Sequence, residues 1–144
     1  MDNKQFRARC SALGDIMSDP KAAADKKAGK LSKTAISAAE SWVKENIYGR
    51  NKHIETNQMA KGTHQESKAI ATLNLVLGTD YSKDSIKLEN DFCTGHRDID
   101  GGDHVRDTKT CYGFSTFPLF GLDVEKDYVW QLQGYMYLSG EKYT

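Results

Sequence analysis

The residues from Thr94 to Gly113 read TGHRDIDGGDHVRDTKTCYG. They gather carboxylates around a pair of glycines and follow them with one lysine set between two threonines. Gly101 and Gly102 suit a two-residue hairpin loop, because the central residues of such a turn can both need positive φ. A symmetric turn on that pair sets Asp98 opposite Val105 and His96 opposite Asp107. Side chains alternate between the faces of a strand, so Asp98, Asp107 and Lys109 then share one face. Their carboxylate oxygens are hard ligands of the kind that hold Mg²⁺, an ion that keeps several waters and takes only one or two protein carboxylates. An ion-acidified water beside an ammonium group is equipment for attack on a phosphoryl centre. A solvated hairpin with a weak surface ion pair explains part of the same pattern. In this register the opposite face carries Arg97, His104 and Arg106 beside Ile99, which is not a clean apolar face, so a bulge in the pairing is the alternative.

A second constellation occupies the same arms. Cys93, His96, His104 and Cys111 are four residues of zinc-binding type. The register above points Cys93 and His96 to opposite faces, and the other two are separated by six residues along one strand, so a zinc site is disfavoured.

Other elements must position these groups. SALGDIM predicts a short helix with Ser11 as a candidate N-cap, ending near SDP, where proline restricts its predecessor. SKTAISAAESWVKENIYG predicts a helix with Ile36, Ala39, Val43 and Ile47 in one stripe and Gly49 as its stop. RNKHIETNQMAKG is polar and reads as irregular. THQESKAIATLNLVLG predicts a third helix, with Ile70, Leu73 and Leu77 on one face and Gly78 as terminator. Glu66 lies one turn before Ile70 and so heads the apolar stripe, either snorkelling at the helix end or aimed at something buried. SIKLEND through CTGHRDID reads as one or two strands, with HVRDTKTCYGF returning as partner. YVWQLQGYMYLSG reads as a final helix, in which Gly134 costs about 1 kcal/mol relative to alanine. This order gives an α/β or α+β domain with a small central sheet.

The bulk composition bounds the rest. A chain of 144 residues has room for one real core and not two. With 38% apolar and 28% charged residues it suits an ordinary globular domain. No apolar run is long enough to span a bilayer, and MDNKQFRARC lacks the apolar centre of a secretory signal, so a cytoplasmic protein is expected. Three cysteines, Cys10, Cys93 and Cys111, argue against a disulfide framework. Net charge is zero, but KAAADKKAGKLSK carries five lysines against Asp25. That stretch is either a solvated loop or a basic arm for a phosphate backbone, with Lys26, Lys27 and Lys30 at its centre.

Taken in chain order, KGTHQES, GHRDID, DTK and QLQGY resemble the motif series of the PD-(D/E)xK nuclease superfamily. They are most similar to its phage recombination exonuclease branch, which includes lambda exonuclease and the YqaJ-type viral recombinases. The resemblance covers about Arg9 to Leu138. It implies an α/β fold, a restriction-endonuclease-like core with a small mixed central sheet flanked by helices, as one nuclease domain over residues 1–144. Gly62 and Glu66 match the glycine and helical glutamate, Asp98 the metal-binding aspartate, and Asp107 and Lys109 the acid and the lysine. Gln131 and Tyr135 match the Gln-x3-Tyr helix motif and share a helix face.

By that resemblance, Glu66, Asp98, Asp107 and the Thr108 carbonyl hold Mg²⁺ or Mn²⁺, Lys109 positions and activates water, and Gln131 and Tyr135 orient Lys109, its water or the DNA backbone. RARCSALGDIM resembles the segment that binds a 5′-phosphate in these enzymes, which selects Arg9 and Ser11; a plain N-cap beside a surface arginine is the alternative. The implied activity is 5′-to-3′ resection of duplex DNA ends for phage recombination, in a bacterial host, with an annealing protein as partner. An endonuclease, a resolvase or a cleavage-dead DNA-binding or assembly subunit remains the alternative, and so does a homo-oligomer. The cysteines do not reproduce the four that hold an iron–sulfur cluster in RecB-like relatives, so none is expected. Two departures stand out: the interval from Asp98 to Asp107 is short, and Thr144 follows the last helix closely, which leaves a domain truncated at its C-terminus as an open alternative.

Overall fold

The computed structural model describes residues 4–50, 57–100, 104–120 and 123–141, with the backbone alone for 57–64. Strand β1 (Ala8–Arg9) runs into a 3-10 turn at Cys10–Ala12 and then helix α1 (Leu13–Ile16). Helices α2 (Ala23–Lys27), α3 (Lys33–Asn46) and α4 (Asn57–Leu77) follow. Strands β2 (Ser82–Lys83), β3 (Lys87–Glu89), β4 (Cys93–His96) and β5 (Ile99–Asp100) precede a 3-10 turn at Phe114–Thr116 and helix α5 (Lys126–Ser139). The expected α/β architecture, small mixed sheets flanked by helices, is what the chain adopts.

β4 is the centre of a three-stranded sheet, parallel to β1 and antiparallel to β3. β2 and β5 form a second, antiparallel pair in which Lys83 faces Ile99. Only Arg97 and Asp98 separate β4 from β5, so the two sheets meet at the residues expected to carry chemistry. One face of the larger sheet packs against α5. Cys10, Cys93, Val105 and Tyr135 make the core there, with Leu13, Leu132, Met136 and Leu138 against it. Burial pushes the Cys10 thiol up to about 12, and the nearby Cys93 adds to this.

Gly134 and Gly95 explain how closely the layers approach. A Cβ on Gly134 would lie 2.5 Å from Leu13 Cδ1 and 2.9 Å from Cys10 Sγ, and one on Gly95 would lie 2.6 Å from Tyr135 Cε1. These contacts, closer than real Cβ atoms make, are why glycine interrupts α5 despite its poor helix propensity. A buried ion-pair network fixes the junction from the other side. Arg97 Nε donates to Asp84 Oδ2 at 2.8 Å and Arg97 Nη1 to Glu141 Oε1, with the three side chains 10, 1 and 14% exposed. Opening such a buried pair from one side costs about 3–5 kcal/mol, because a charge is left unmatched. The network ties the segment after α5 to the residue just before Asp98.

Several expectations need correction. Ser11 is not a helix N-cap: it lies inside the 3-10 turn, and no side chain caps that turn or α1. The tight turn is forced by Cys10 folding back under α5. Ser32 is a cap, its Oγ accepting from the Ala35 N–H at 2.9 Å. In α3 the predicted stripe is not the buried one, since Ile36, Val43 and Ile47 are 39–49% exposed and Ala35 is buried. The face that packs runs instead through Ala35 and the half-buried Trp42, whose ring lies 5.1 Å from that of Phe6. The segment expected to be irregular is helical from Asn57 onward, and residues 51–56 lie outside the described residues. In α4, Ile70 is buried but Leu77 is 58% exposed. Gly49 and Gly78 do end their helices with positive φ.

The Gly101–Gly102 loop lies outside the described residues. Among the described residues the return segment pairs through an antiparallel bridge, Ile99 to Arg106, two residues from the expected register. A shift of two preserves faces, so Asp98 and Asp107 remain on one side. Ile99 and Val105 are each 1% exposed, which supplies the apolar anchors that the symmetric register lacked.

Candidate active site

The second half of the hairpin and α5 meet around Asp107. Its carboxylate is 7% exposed and pairs with Lys109 Nζ through Oδ2. Gln131 Nε2 donates to Asp107 Oδ1 at 3.2 Å and to the Tyr135 hydroxyl oxygen at 2.9 Å. Lys109 Nζ also reaches Gln131 Oε1 at 3.4 Å. Gln131 therefore holds both members of the acid–lysine pair, one through each end of its amide. It can do so because Gln131 and Tyr135 are one helical turn apart on the face of α5 that meets the hairpin.

Asp98 stands beside this set. Its Oδ2 accepts from the Thr108 N–H at 2.6 Å and the Thr108 hydroxyl at 2.9 Å. That clamp ties Thr108, the residue after Asp107, to Asp98. Burial raises the Asp107 pKa first; Asp98's charge pushes it the same way, and Lys109 works against both. Burial pushes Tyr135 up to about 12, so it stays a neutral phenol whose proton remains available to donate.

Sequence reasoning missed two contributors. Lys109 Nζ lies 4.9 Å from the centre of the Tyr128 ring, inside cation–π range. Tyr128, Gln131 and Tyr135 follow a three-and-four spacing along α5, the periodicity that would have found Tyr128. The Arg97 network was missed because a charged residue in a strand next to Asp98 reads as solvated until its two partners are seen.

Glu66 is not part of the hydrogen-bonded set. It pairs with Lys83 Nζ of β2 at 2.7 Å and is 15% exposed. Among the described residues no three His, Cys, Asp or Glu side chains form a ready metal cage. The expected four-ligand shell is thus not assembled, because Lys83 takes the Glu66 carboxylate. What remains is Asp98 and Asp107 with the carbonyl of Thr108, the residue that follows Asp107. Two carboxylates close enough to repel, on a half-open surface, fit an ion of the Mg²⁺ kind that keeps most of its water shell. The four zinc-type residues do not converge either: Cys93 is in the α5 core and His96 is exposed.

On the other side of Tyr135 lies a cleft of about 340 Å³. Arg9, Ser11, Lys87, Thr94 and His96 line it together with Tyr135. Arg9 there pairs with Glu45 at 3.0 Å. The structure so brings Arg9 and Ser11 within one residue of the Gln131 network. It does not bring the lysine-rich stretch there: Lys26 pairs with Asp19 and Lys30 with Asp25, all well exposed, and Lys27 is an exposed residue of α2.

No protein-family model matches the chain, and no curated protein matches it significantly. Solved structures do. A phage-related exonuclease from Haemophilus somnus 129PT is 32% identical, with a TM-score of 0.79 over 93% of this chain. An alkaline exonuclease, LHK-Exo from Laribacter hongkongensis, shares the fold at 16% identity and a TM-score of 0.67 over 96% of this chain, and its complex with dAMP matches equally well. The chain spans 63% of the first of these proteins and 65–66% of the LHK-Exo chains. The fold and the meeting of Asp98, Asp107, Lys109, Gln131 and Tyr135 agree with these neighbours: the chain is built like the phage exonucleases, the branch of the PD-(D/E)xK superfamily that its motif series resembles.

Proposed function

We propose that the chain carries the catalytic centre of a DNA exonuclease that hydrolyses phosphodiester bonds at duplex ends, in the 5′-to-3′ direction. The observation that carries this reading is the closed set Asp107–Lys109–Gln131–Tyr135 beside Asp98, with a cleft rich in cations and hydroxyls on its far side. Asp98 and Asp107 would hold Mg²⁺ or Mn²⁺ with the Thr108 carbonyl, and Glu66 would join through water once released from Lys83. When bound, the ion acidifies water and neutralises charge that grows on a phosphoryl oxygen.

The chain's own residues supply the rest. Lys109, held by Asp107 and Gln131, positions and activates the attacking water. Tyr135 keeps its proton and donates towards the phosphate. Water adds to phosphorus as the bond to the 3′ oxygen breaks, so the remaining strand keeps a 5′-phosphate and the product leaves with a 3′-hydroxyl. Arg9 and Ser11 would receive the terminal phosphate, and each turnover would regenerate the group they bind. Lys26, Lys27 and Lys30 would follow the duplex backbone. By the phage relationship, the strand left behind would serve an annealing protein in recombination inside a bacterial cell. Among the described residues no helix is long and apolar enough to cross a membrane.

Digestion of linear and covalently closed circular DNA, with Mg²⁺ and with chelator, tests the reading. Loss of the linear form alone, and only with the ion, is expected. Digestion of the circle would make the chain an endonuclease, and survival of both substrates with Mg²⁺ would make it a binding subunit.

A further inference from the structure

The face of the larger sheet turned away from α5 is polar. Arg7, Arg9, Thr94, Lys87 and Glu89 alternate with the residues of the α5 core, so strand geometry alone directs them there. Between that face and α3 lies an open groove of about 690 Å³, lined by Lys4, Arg7, Arg9, Lys87, Trp42 and Thr94 among others. Its volume is in the range of ordinary ligand sites. Three of its residues, Arg9, Lys87 and Thr94, also line the smaller cleft beside Tyr135, so the two spaces adjoin across the end of the sheet.

The chemistry of the groove is that of a single-stranded nucleic acid track. Four cations line it against two carboxylates, Glu45 and Glu89. Arg7 meets its carboxylate partners only at 3.8 and 3.9 Å, with its own side chain 42% exposed, so a phosphate can replace them at little cost. Trp42 and Phe6 offer a tilted aromatic pair, with Trp42 in the groove wall. On the wall shared with the cleft, the Thr94 hydroxyl is buried and has no partner among the described residues. A cationic groove with an aromatic wall is how proteins hold unpaired nucleotides without regard to sequence.

We infer that this groove holds one or two unpaired nucleotides lying 5′ of the phosphate in the Arg9–Ser11 cleft, and therefore that the chain accepts DNA ends with short 5′ overhangs. The direction of the strand rests on the exonuclease reading; the binding of an unpaired strand does not. On an overhanging end the seated phosphate is an internal diester. Hydrolysis at the centre then releases a short oligonucleotide first, and mononucleotides only afterwards.

Two measurements test this. The first is fluorescence anisotropy with a labelled, 5′-phosphorylated thymidine tetranucleotide in chelator, where no hydrolysis occurs. Trp42→Ala should weaken binding about tenfold through the lost stacking. The double variant Lys4→Glu, Arg7→Gln, at exposed or half-exposed positions that do not endanger folding, should lower the slope of log Kd against log salt by about 0.7 to 1.4. The second is product length from duplexes with blunt ends and with two-nucleotide 5′ overhangs. Wild type should release a di- or trinucleotide first from the overhang, and both variants should lose that product several-fold while blunt-end digestion stays unchanged. Unaltered binding and products in both variants would overturn the inference and leave the exonuclease reading standing. Tetranucleotide binding that both variants weaken, in a chain that digests no DNA, would support the groove and refute the exonuclease reading.

Discussion

Asp107 is kept at a cost, and the cost has a measurable sign. Burial and the neighbouring Asp98 raise its pKa, while Lys109 opposes them. A carboxylate with a raised pKa binds its proton more tightly in the folded state than in the unfolded one. Its contribution to stability is therefore complete below the ordinary carboxylate range and is lost as pH rises through the raised value. At neutral pH the ionised group weighs against folding. Asp107→Asn cannot ionise and keeps a polar amide for Gln131. Its melting temperature should exceed that of the wild type at pH 7, with the gap closing towards pH 4. A variant less stable than wild type at pH 7 would show that the Lys109 pair outweighs burial. The same raised pKa argues for the site: a carboxylate held against its electrostatic preference is what a cation would relieve.

At the level of elements, glycine spacing sets how α5 delivers Gln131 and Tyr135. In an open helix Gly134→Ala would gain about 1 kcal/mol. Here the added methyl meets Leu13 Cδ1 at 2.5 Å and Cys10 Sγ at 2.9 Å, so α5 must retreat from the sheet. Overpacking of this kind costs about 1–3 kcal/mol, and Gly134→Ala should lower the urea midpoint accordingly, with the slope unchanged. A gain in stability would mean that the layers are looser than described. The sequence announced α5 and Gln131–Tyr135 because their spacing is helical and local. It announced the common face of Asp98 and Asp107 because a register error of two residues leaves faces alone. It misjudged α3, where Ile36, Val43 and Ile47 make a regular stripe yet the packed face runs through Ala35 and Trp42. Periodicity finds an apolar face but does not say which neighbour exists to cover it. It also could not foresee that Lys83, on a strand seventeen residues beyond Glu66, would hold that carboxylate. Long-range ion pairs leave no local signature.

For the molecule as a whole, zero net charge conceals a division of labour. Cations line both spaces that adjoin the Tyr135 end of α5, while carboxylates gather at Asp98 and Asp107. On the proposed reading, phosphate would be drawn to the first region and a divalent ion to the second, with Tyr135 between them. The buried Arg97 network holds that junction together by joining the link between β4 and β5, the loop after β2 and the segment after α5. The central claim is that this junction performs hydrolysis through Lys109. Single-turnover hydrolysis of a 5′-labelled linear duplex by Lys109→Ala, beside its affinity for the same duplex in chelator, tests it most directly. Loss of one stabilising group in such a centre slows reaction by about 10²–10³-fold. The account predicts a fall of at least that size with affinity changed no more than a few-fold, whereas hydrolysis at the wild-type rate would contradict it.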